Sequence, residues 1–372
     1  MRIGIKISPL TVLRTGIPNY ILNLLRSIAE KDSSNEYFLY TNRPIPFDLG
    51  LPERFKTVVV RFPSPRLQLW YQVGLPIRMR RDRLDLFHDP VYPLPIGLPV
   101  PGVITIHDLS AYTDPGVHSL RASLAGKFYP RFLEKARRII TISRFTGTEI
   151  ARLFPEAADK VRVVYCGVNP GFRKVENGEL LAGVKKKHGL PDRFFLFLGT
   201  MEPRKNLERL LDAFESVGDR IRHYMVITGG RGWSYGGILS KIENHPFRER
   251  IVLTGFVSND ELPALVSMAD FLVYPSILEG FGLPIIESMA CGTPVITSSV
   301  SAMPEVAGDA AVLVDPFSVS SIAGGLIEMA ENESLRNELS AKGLERASLF
   351  TWNKAAEETL EVYREAAEEA GV

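Results

Sequence analysis

Cysteine is nearly absent from this chain: of 372 residues only Cys166 and Cys291 are cysteines, and they lie far apart. That spacing suits neither a disulfide framework nor a cysteine metal site, and points to a reduced, cytoplasmic protein. Charge of one sign is also lacking, with 44 Lys and Arg against 43 Asp and Glu, a net +1. General nucleic-acid binding needs a basic excess that is missing here. No run of about 18 apolar residues occurs, so no spanning helix is expected, although attachment to a membrane surface stays open. Met1 to Ile7 goes straight into strand-like alternation, so no signal peptide is expected. No Asp-x-Asp pair occurs, which leaves no obvious carboxylate pair for a metal-bound diphosphate.

What is present is an ordinary globular composition, 45% apolar and 23% charged. The length exceeds one typical core, so two domains are expected. Short apolar runs alternate with helical periods from the first residue. Strand patterns at 2–8, 37–40, 57–60, 84–88, 103–106, 138–143 and 161–164 form one series, and the first is followed by a loop with Gly16. The pattern loosens over 169–192, which is rich in Asn, Pro and Gly, and then restarts. Strands at 194–198, 223–228, 251–253, 271–274, 294–296 and 311–314 make the second series. Strand, glycine turn and helix in repetition predict an α/β protein of two doubly wound, Rossmann-like domains. The expected boundaries are 1–168, a linker at 169–192, and 193–351. The last helix, 352–372, carries six glutamates and reads as a solvated face. The ligand of two such domains is expected in the cleft between them, at the carboxyl ends of the strands.

One stretch organises the rest: Tyr274-Pro275-Ser276-Ile277-Leu278-Glu279-Gly280-Phe281-Gly282-Leu283-Pro284-Ile285-Ile286-Glu287. It leads from a buried strand into a helix, and Pro284 suits that helix's first turn. Gly280 and Gly282 leave amides uncovered at the helix mouth, where the dipole favours an anion. Each glutamate alone would be an ordinary surface residue, and the G-x-G lacks the third glycine of a dinucleotide fingerprint. Two carboxylates around an anion-ready turn, however, suit a ligand with phosphate in its middle and hydroxyls at both ends. A nucleotide sugar has that form.

This E-x7-E string resembles the signature of retaining glycosyltransferases of family 4, which have the GT-B fold. Gly16, His107-Asp108, the string from Gly199 to Asn206 and Gly255-Phe256-Val257 extend the resemblance over nearly the whole chain. Thr105 to Tyr112 and Glu202-Pro203-Arg204-Lys205-Asn206 look most like bacterial mannosyltransferases that build surface polysaccharides. The resemblance implies that Glu279 approaches the donor sugar and Glu287 binds the ribose diol, with amides of Gly280, Phe281, Gly282 and Leu283 near the sugar and distal phosphate. It implies that Lys205, with Arg204, meets the diphosphate, that His107 faces the donor sugar, that backbone at Phe256 and Val257 meets the base, and that the last helix, 352–372, packs back on the first domain. Many relatives carry Arg directly after the strand glycine, where this chain has Thr200, so either Arg204 takes its place or the phosphate contacts are fewer.

Several positions have two readings. Gly16 lets the first loop approach a phosphate or simply makes a turn. Gly229 admits the nucleoside or does the same. Asp108, also a candidate for the acceptor side, orients His107 or caps the next segment. His88, ending another strand, lines the acceptor side or belongs to the core. Residues 67–83 form an amphipathic helix whose Leu67, Leu69, Trp70, Tyr71 and four arginines either seat on an anionic membrane or make an ordinary surface.

The expected activity is transfer of a hexosyl group, with mannose from GDP-mannose favoured, to a saccharide or lipid-linked acceptor. No cofactor or metal is expected. Donors such as UDP-glucose or UDP-N-acetylglucosamine are alternatives. A nicotinamide oxidoreductase and an inactive two-lobed sugar-nucleotide-binding protein are the rival classes.

Overall fold

The computed structural model describes residues 1–12, 16–61, 69–91, 93–113, 129–230, 232 and 236–371. It divides into two units, Met1–Gly167 together with Thr351–Val372, and Val168–Phe350. Leu67 lies outside the described residues.

The first unit is built on seven parallel strands: β1 (Arg2–Lys6), β2 (Glu36–Thr41), β3 (Phe55–Val59), β4 (Leu86–Asp89), β5 (Gly102–Ile106), β6 (Arg138–Thr141) and β7 (Val161–Val163). Their order is β3-β2-β1-β4-β5-β6-β7, so the winding reverses between β1 and β4. The second unit has six: β8 (Phe194–Leu198), β9 (Tyr224–Thr228), β10 (Ile251–Gly255), β11 (Phe271–Tyr274), β12 (Val295–Ser298) and β13 (Ala311–Val314). Their order, β10-β9-β8-β11-β12-β13, reverses between β8 and β11. All pairings in both sheets are parallel. Central strands such as Phe194–Leu198 are buried throughout, because a parallel sheet of this kind is covered on both faces.

Residues 169–192 are no separate linker but fold with the second unit. Asn177 caps the helix Gly178–His188 by accepting from the amides of Glu179 and Leu180, and Gly189 ends it in a left-handed turn.

The stretch expected as one helix at 67–83 contains a π-helical turn, Trp70–Gly74, before the α-helix Leu75–Asp82. Trp70 and Tyr71 are buried in the first unit's core, so neither is a membrane anchor. Tyr71 donates to the Asp89 carboxylate, which also pairs with Lys6 at 2.6 Å.

The C-terminal helix, Trp352–Glu368, buries Trp352, Ala355, Ala356, Val362, Tyr363 and Ala366 in the first unit. Its glutamates are not all a solvated face: Glu365 pairs with Arg138 at 2.8 Å and Arg162 at 2.9 Å, and Glu369 also pairs with Arg138.

Candidate active site

In the second unit, the strands on either side of the reversal both end in charged loops. After β8 the chain makes a short turn, Pro203–Lys205, and enters the helix Leu207–Val217. After β11 it runs through residues 275–282 into the helix Leu283–Ala290. The two segments are tied together by Ile277 N donating to Arg204 O at 2.9 Å and by Arg204 donating to Leu278 O at 2.7 Å. Open α/β sheets bind ligands at such a reversal, beyond the carboxyl ends of the strands.

This pairing joins the charges into one cluster. Lys205 Nζ lies 2.7 Å from Glu279 Oε1, and Arg204 Nη1 lies 2.8 Å from Glu279 Oε2. Arg204 also reaches Glu202 at 2.9 Å, while Lys205 donates to the Tyr274 hydroxyl and sits 4.8 Å above its ring. Lys205 and Glu279 are buried. Burial alone would raise the Glu279 carboxyl, but Lys205 and Arg204 outweigh it and hold the pKa at about 2. Glu279 is therefore an ionised acceptor at neutral pH, unsuited to donating a proton. Burial lowers the Lys205 pKa against the opposing pull of Glu279.

Glu287, on the helix Leu283–Ala290, is in the opposite situation. The residue is half-buried, its carboxylate has no hydrogen bond or ion pair among the described residues, and desolvation raises its pKa to about 7. Gly282 precedes the helix at φ 102°, and a Cβ there would come within 2.9 Å of Ile285. Gly280 is buried, and Leu283 opens the helix. The Phe281 ring is core, edge-on to Phe350 at 5.6 Å, so only main chain can serve a ligand at that residue.

Gly229 lies against the backbone of Gly199. A side chain there would place its Cβ 2.0 Å from Gly199 O, so glycine is required whether or not a ligand is near. Beside it, Phe256 is 63% exposed and Val257 is buried.

In the first unit, Gly16 is the exposed first residue of the helix Gly16–Lys31, after β1. His107 follows β5, partly buried, with Nε2 donating to Pro90 O at 2.8 Å and its ring edge-on to Tyr20 at 4.9 Å. Burial lowers its pKa, so the ring is neutral with Nδ1 as the acceptor. Asp108 caps the following turn, accepting from Ser110 N at 2.9 Å and from the Ser110 hydroxyl.

His88 does not line an acceptor site. It is fully buried, with Nδ1 2.7 Å from the Tyr363 hydroxyl and Nε2 2.9 Å from Thr105 Oγ1, and burial drives its pKa down to about 3. The packed C-terminal helix leaves it no open face.

No group of three His, Cys, Asp or Glu arranged to hold a metal occurs among the described residues. A cleft of about 530 Å³ opens at the opposite, amino edge of the first sheet, lined by Ile96, Val100, Gly102, Arg137 and Lys160 among others. It contains none of the residues above.

Comparison with known proteins bears on what this geometry serves. Residues 14–172 match the family described as Glycosyltransferase Family 4, and residues 183–346 match Glycosyl transferases group 1. O-antigen chain mannosyltransferase B of Escherichia coli is 34% identical over 308 residues, 82% of this chain and 78% of that protein. The chain belongs to the family 4 glycosyltransferases. The serotype-specific mannosyltransferase WbdA of Escherichia coli is 31% identical over 233 residues, 61% of this chain but 29% of that longer protein. Two solved structures share the GT-B fold. Sucrose-phosphate synthase from Thermosynechococcus elongatus has a TM-score of 0.78 at 21% identity, covering 98% of each chain. WaaG, a glycosyltransferase involved in lipopolysaccharide biosynthesis, has a TM-score of 0.73 at 16% identity, covering 96% of this chain and 98% of its own.

For this glycosyltransferase, sequence reasoning named Arg204, Lys205 and Glu279 but gave them separate tasks, whereas the structure joins them. It quoted Glu202, Asn206 and Tyr274 within motifs but gave them no role, and it missed Ser301, which holds the cluster from a strand end with no motif of its own. The Pro90 carbonyl, which sets the His107 tautomer, leaves no side-chain trace at all. The nicotinamide oxidoreductase reading falls with the family assignment.

Proposed function

We propose that this glycosyltransferase is a retaining mannosyltransferase that takes GDP-mannose and transfers mannose to a saccharide or lipid-linked acceptor. The observation that carries the reading is the cluster of Arg204, Lys205 and Glu279 at the sheet reversal, with Glu287, which has no ion pair among the described residues, on the helix that follows. The relatives named as mannosyltransferases support the choice of sugar.

The proposed roles follow from the charges. Lys205 and Arg204 meet the diphosphate and stabilise charge on the leaving group, aided by amides at Gly282 and Leu283. Glu279, fixed as a carboxylate, accepts from the donor sugar's hydroxyls, and Glu287 accepts from the ribose diol. Exposed Phe256 and main chain at Val257 take the base. In the first unit, Gly16 and His107, with Nδ1 as an acceptor, are the candidate ligand-facing residues. Reaction on one face of the sugar, with the leaving phosphate taking the acceptor proton, retains the anomeric configuration without a metal.

At the first unit's surface, Leu69, Val73 and Ile77 are 38%, 41% and 48% exposed. With exposed Arg80 and Arg81 they suit an anionic lipid surface, where a lipid-linked acceptor would lie, and we place the protein at the inner face of the membrane. No helix among the described residues is long and apolar enough to cross a membrane.

A thermal-shift panel of GDP, UDP, ADP and their sugars, with and without EDTA, tests the reading. GDP and GDP-mannose should stabilise most, and EDTA should change nothing. Stabilisation by a UDP-sugar alone would replace the donor, and an inverted product anomer by NMR would refute retention.

A further inference from the structure

The loop that presents Glu279 is held by side chains whose own backbone is strained. Among the described residues three non-glycine positions have left-handed φ: Arg83 at 50°, Asn206 at 61° and Ser301 at 61°. Arg83 follows the helix Leu75–Asp82, where such a turn is an ordinary ending. The other two both hydrogen-bond to residues 275–282. Asn206 Nδ2 donates to Pro275 O at 3.0 Å, and to Pro316 O at 2.7 Å. Ser301 Oγ accepts from Glu279 N at 2.9 Å and donates to Glu279 O at 2.7 Å, and it also accepts from Ala302 N at 2.6 Å. Left-handed backbone is costly for a residue with a side chain and tends to persist where a functional site needs it.

We propose that Ser301 is a positioning residue for the transfer reaction, acting through Glu279. Both main-chain polar groups of Glu279 end on one hydroxyl, so the residue cannot swing about its own backbone. Its carboxylate is then aimed between Lys205 and Arg204, where the donor sugar is to meet it. The hydroxyl has one proton and two lone pairs, and all three are in use, so Ser301 has nothing left to offer a ligand directly. The left-handed turn is the geometry that brings Oγ back onto Glu279 from the segment after β12. The proposal rests on the reading of Glu279 as the group that holds the donor sugar.

Two substitutions separate the hydroxyl from the strain. Ser301→Gly and Ser301→Ala both remove the hydroxyl, but only alanine keeps a side chain at positive φ. Thermal melts should therefore place Ser301→Gly above Ser301→Ala. GDP-mannose with GDP, and UDP-glucose with UDP, serve as paired calorimetric probes, read on the pair that the wild type binds. Both variants should lose about tenfold or more in affinity for the sugar nucleotide, since a small misplacement of a contacting group costs on that order. Affinity for the nucleoside diphosphate should change by less than about threefold on the same scale. Wild-type affinity for the sugar nucleotide in Ser301→Gly, or an equal loss for both ligands of the pair, would overturn the proposal and leave Ser301 a structural residue. Glu279→Gln is measured alongside. If it too binds the sugar nucleotide as wild type does, the reading of Glu279 fails and takes the proposal with it. If only Glu279→Gln is selectively weakened, the Ser301 proposal alone fails.

Discussion

Glu279 and Glu287 sit on the same loop and helix, yet their surroundings push them in opposite directions. Glu279 is held near a pKa of about 2, so its ion pairs favour the fold above the ordinary value of 4.5 and lose that effect as pH falls toward 2. Glu287 is raised to about 7, so its contribution is complete below 4.5 and is lost as pH rises through 7, where the carboxylate ionises without a partner. A ribose diol supplies two hydroxyl donors to such a carboxylate. Affinity for GDP-mannose, whose own diphosphate does not titrate in this range, should therefore tighten between about pH 6 and about pH 8, by at most about tenfold per unit because one proton is linked. Calorimetric titration of the wild type and Glu287→Gln checks this, and the variant should give a flat profile. A flat profile in the wild type would remove Glu287 from the site. Lys205→Ala leaves buried Glu279 with one cation instead of two. We expect a loss of about 2 kcal/mol in stability, below the range for a fully unpaired buried charge because Arg204 remains, together with weaker donor binding and turnover. Unchanged donor affinity and rate would sink the diphosphate role of Lys205.

Elements were legible where burial writes a local pattern. Phe194–Leu198 reads as Phe-Phe-Leu-Phe-Leu because both faces of its sheet are covered, and the turn at Gly282 reads as glycine because residues with a side chain rarely adopt its φ of 102°. Strand ends are harder. Two of them carry a His-Asp pair, His88-Asp89 and His107-Asp108, and nothing local separates the two. The first is sealed by Tyr363 from the far end of the chain, whereas the second lies in a loop after its strand. The π-helical turn at Trp70–Gly74 was likewise invisible, since helical periodicity does not reveal an extra residue in one turn. Tyr363→Phe removes the bond from the C-terminal helix to His88 and should cost about 1 to 2 kcal/mol, the usual range for a buried pair left half satisfied. Thermal melts should show the loss while GDP-mannose affinity stays at the wild-type value. A variant that melts like the wild type would show that this bond does not hold the helix.

At the scale of the molecule, the first unit is discontinuous in sequence: residues 168–350 are interposed before the chain returns as the helix Trp352–Glu368. Truncation after Phe350 would uncover apolar surface of the first unit and leave Arg138 and Arg162 without Glu365. Hydrogen exchange should then show lost protection within residues 1–167 and retained protection in 168–350, and unchanged protection of the first unit would contradict this account. The sequence by itself determined the α/β class, the strands of both sheets and the Glu279–Glu287 motif, because hydrophobic runs, glycine turns and helix starts are set by neighbours along the chain. Only the tertiary structure decided that Lys205 and Arg204 grip Glu279, 74 positions beyond Lys205, and that Ser301 clamps it. It also decided that His88 is core, while Nδ1 of His107 has no hydrogen bond among the described residues. The physical reason is strand order: β8 and β11 lie side by side although two strands separate them in the chain, and adjacency across a sheet leaves no mark on local sequence.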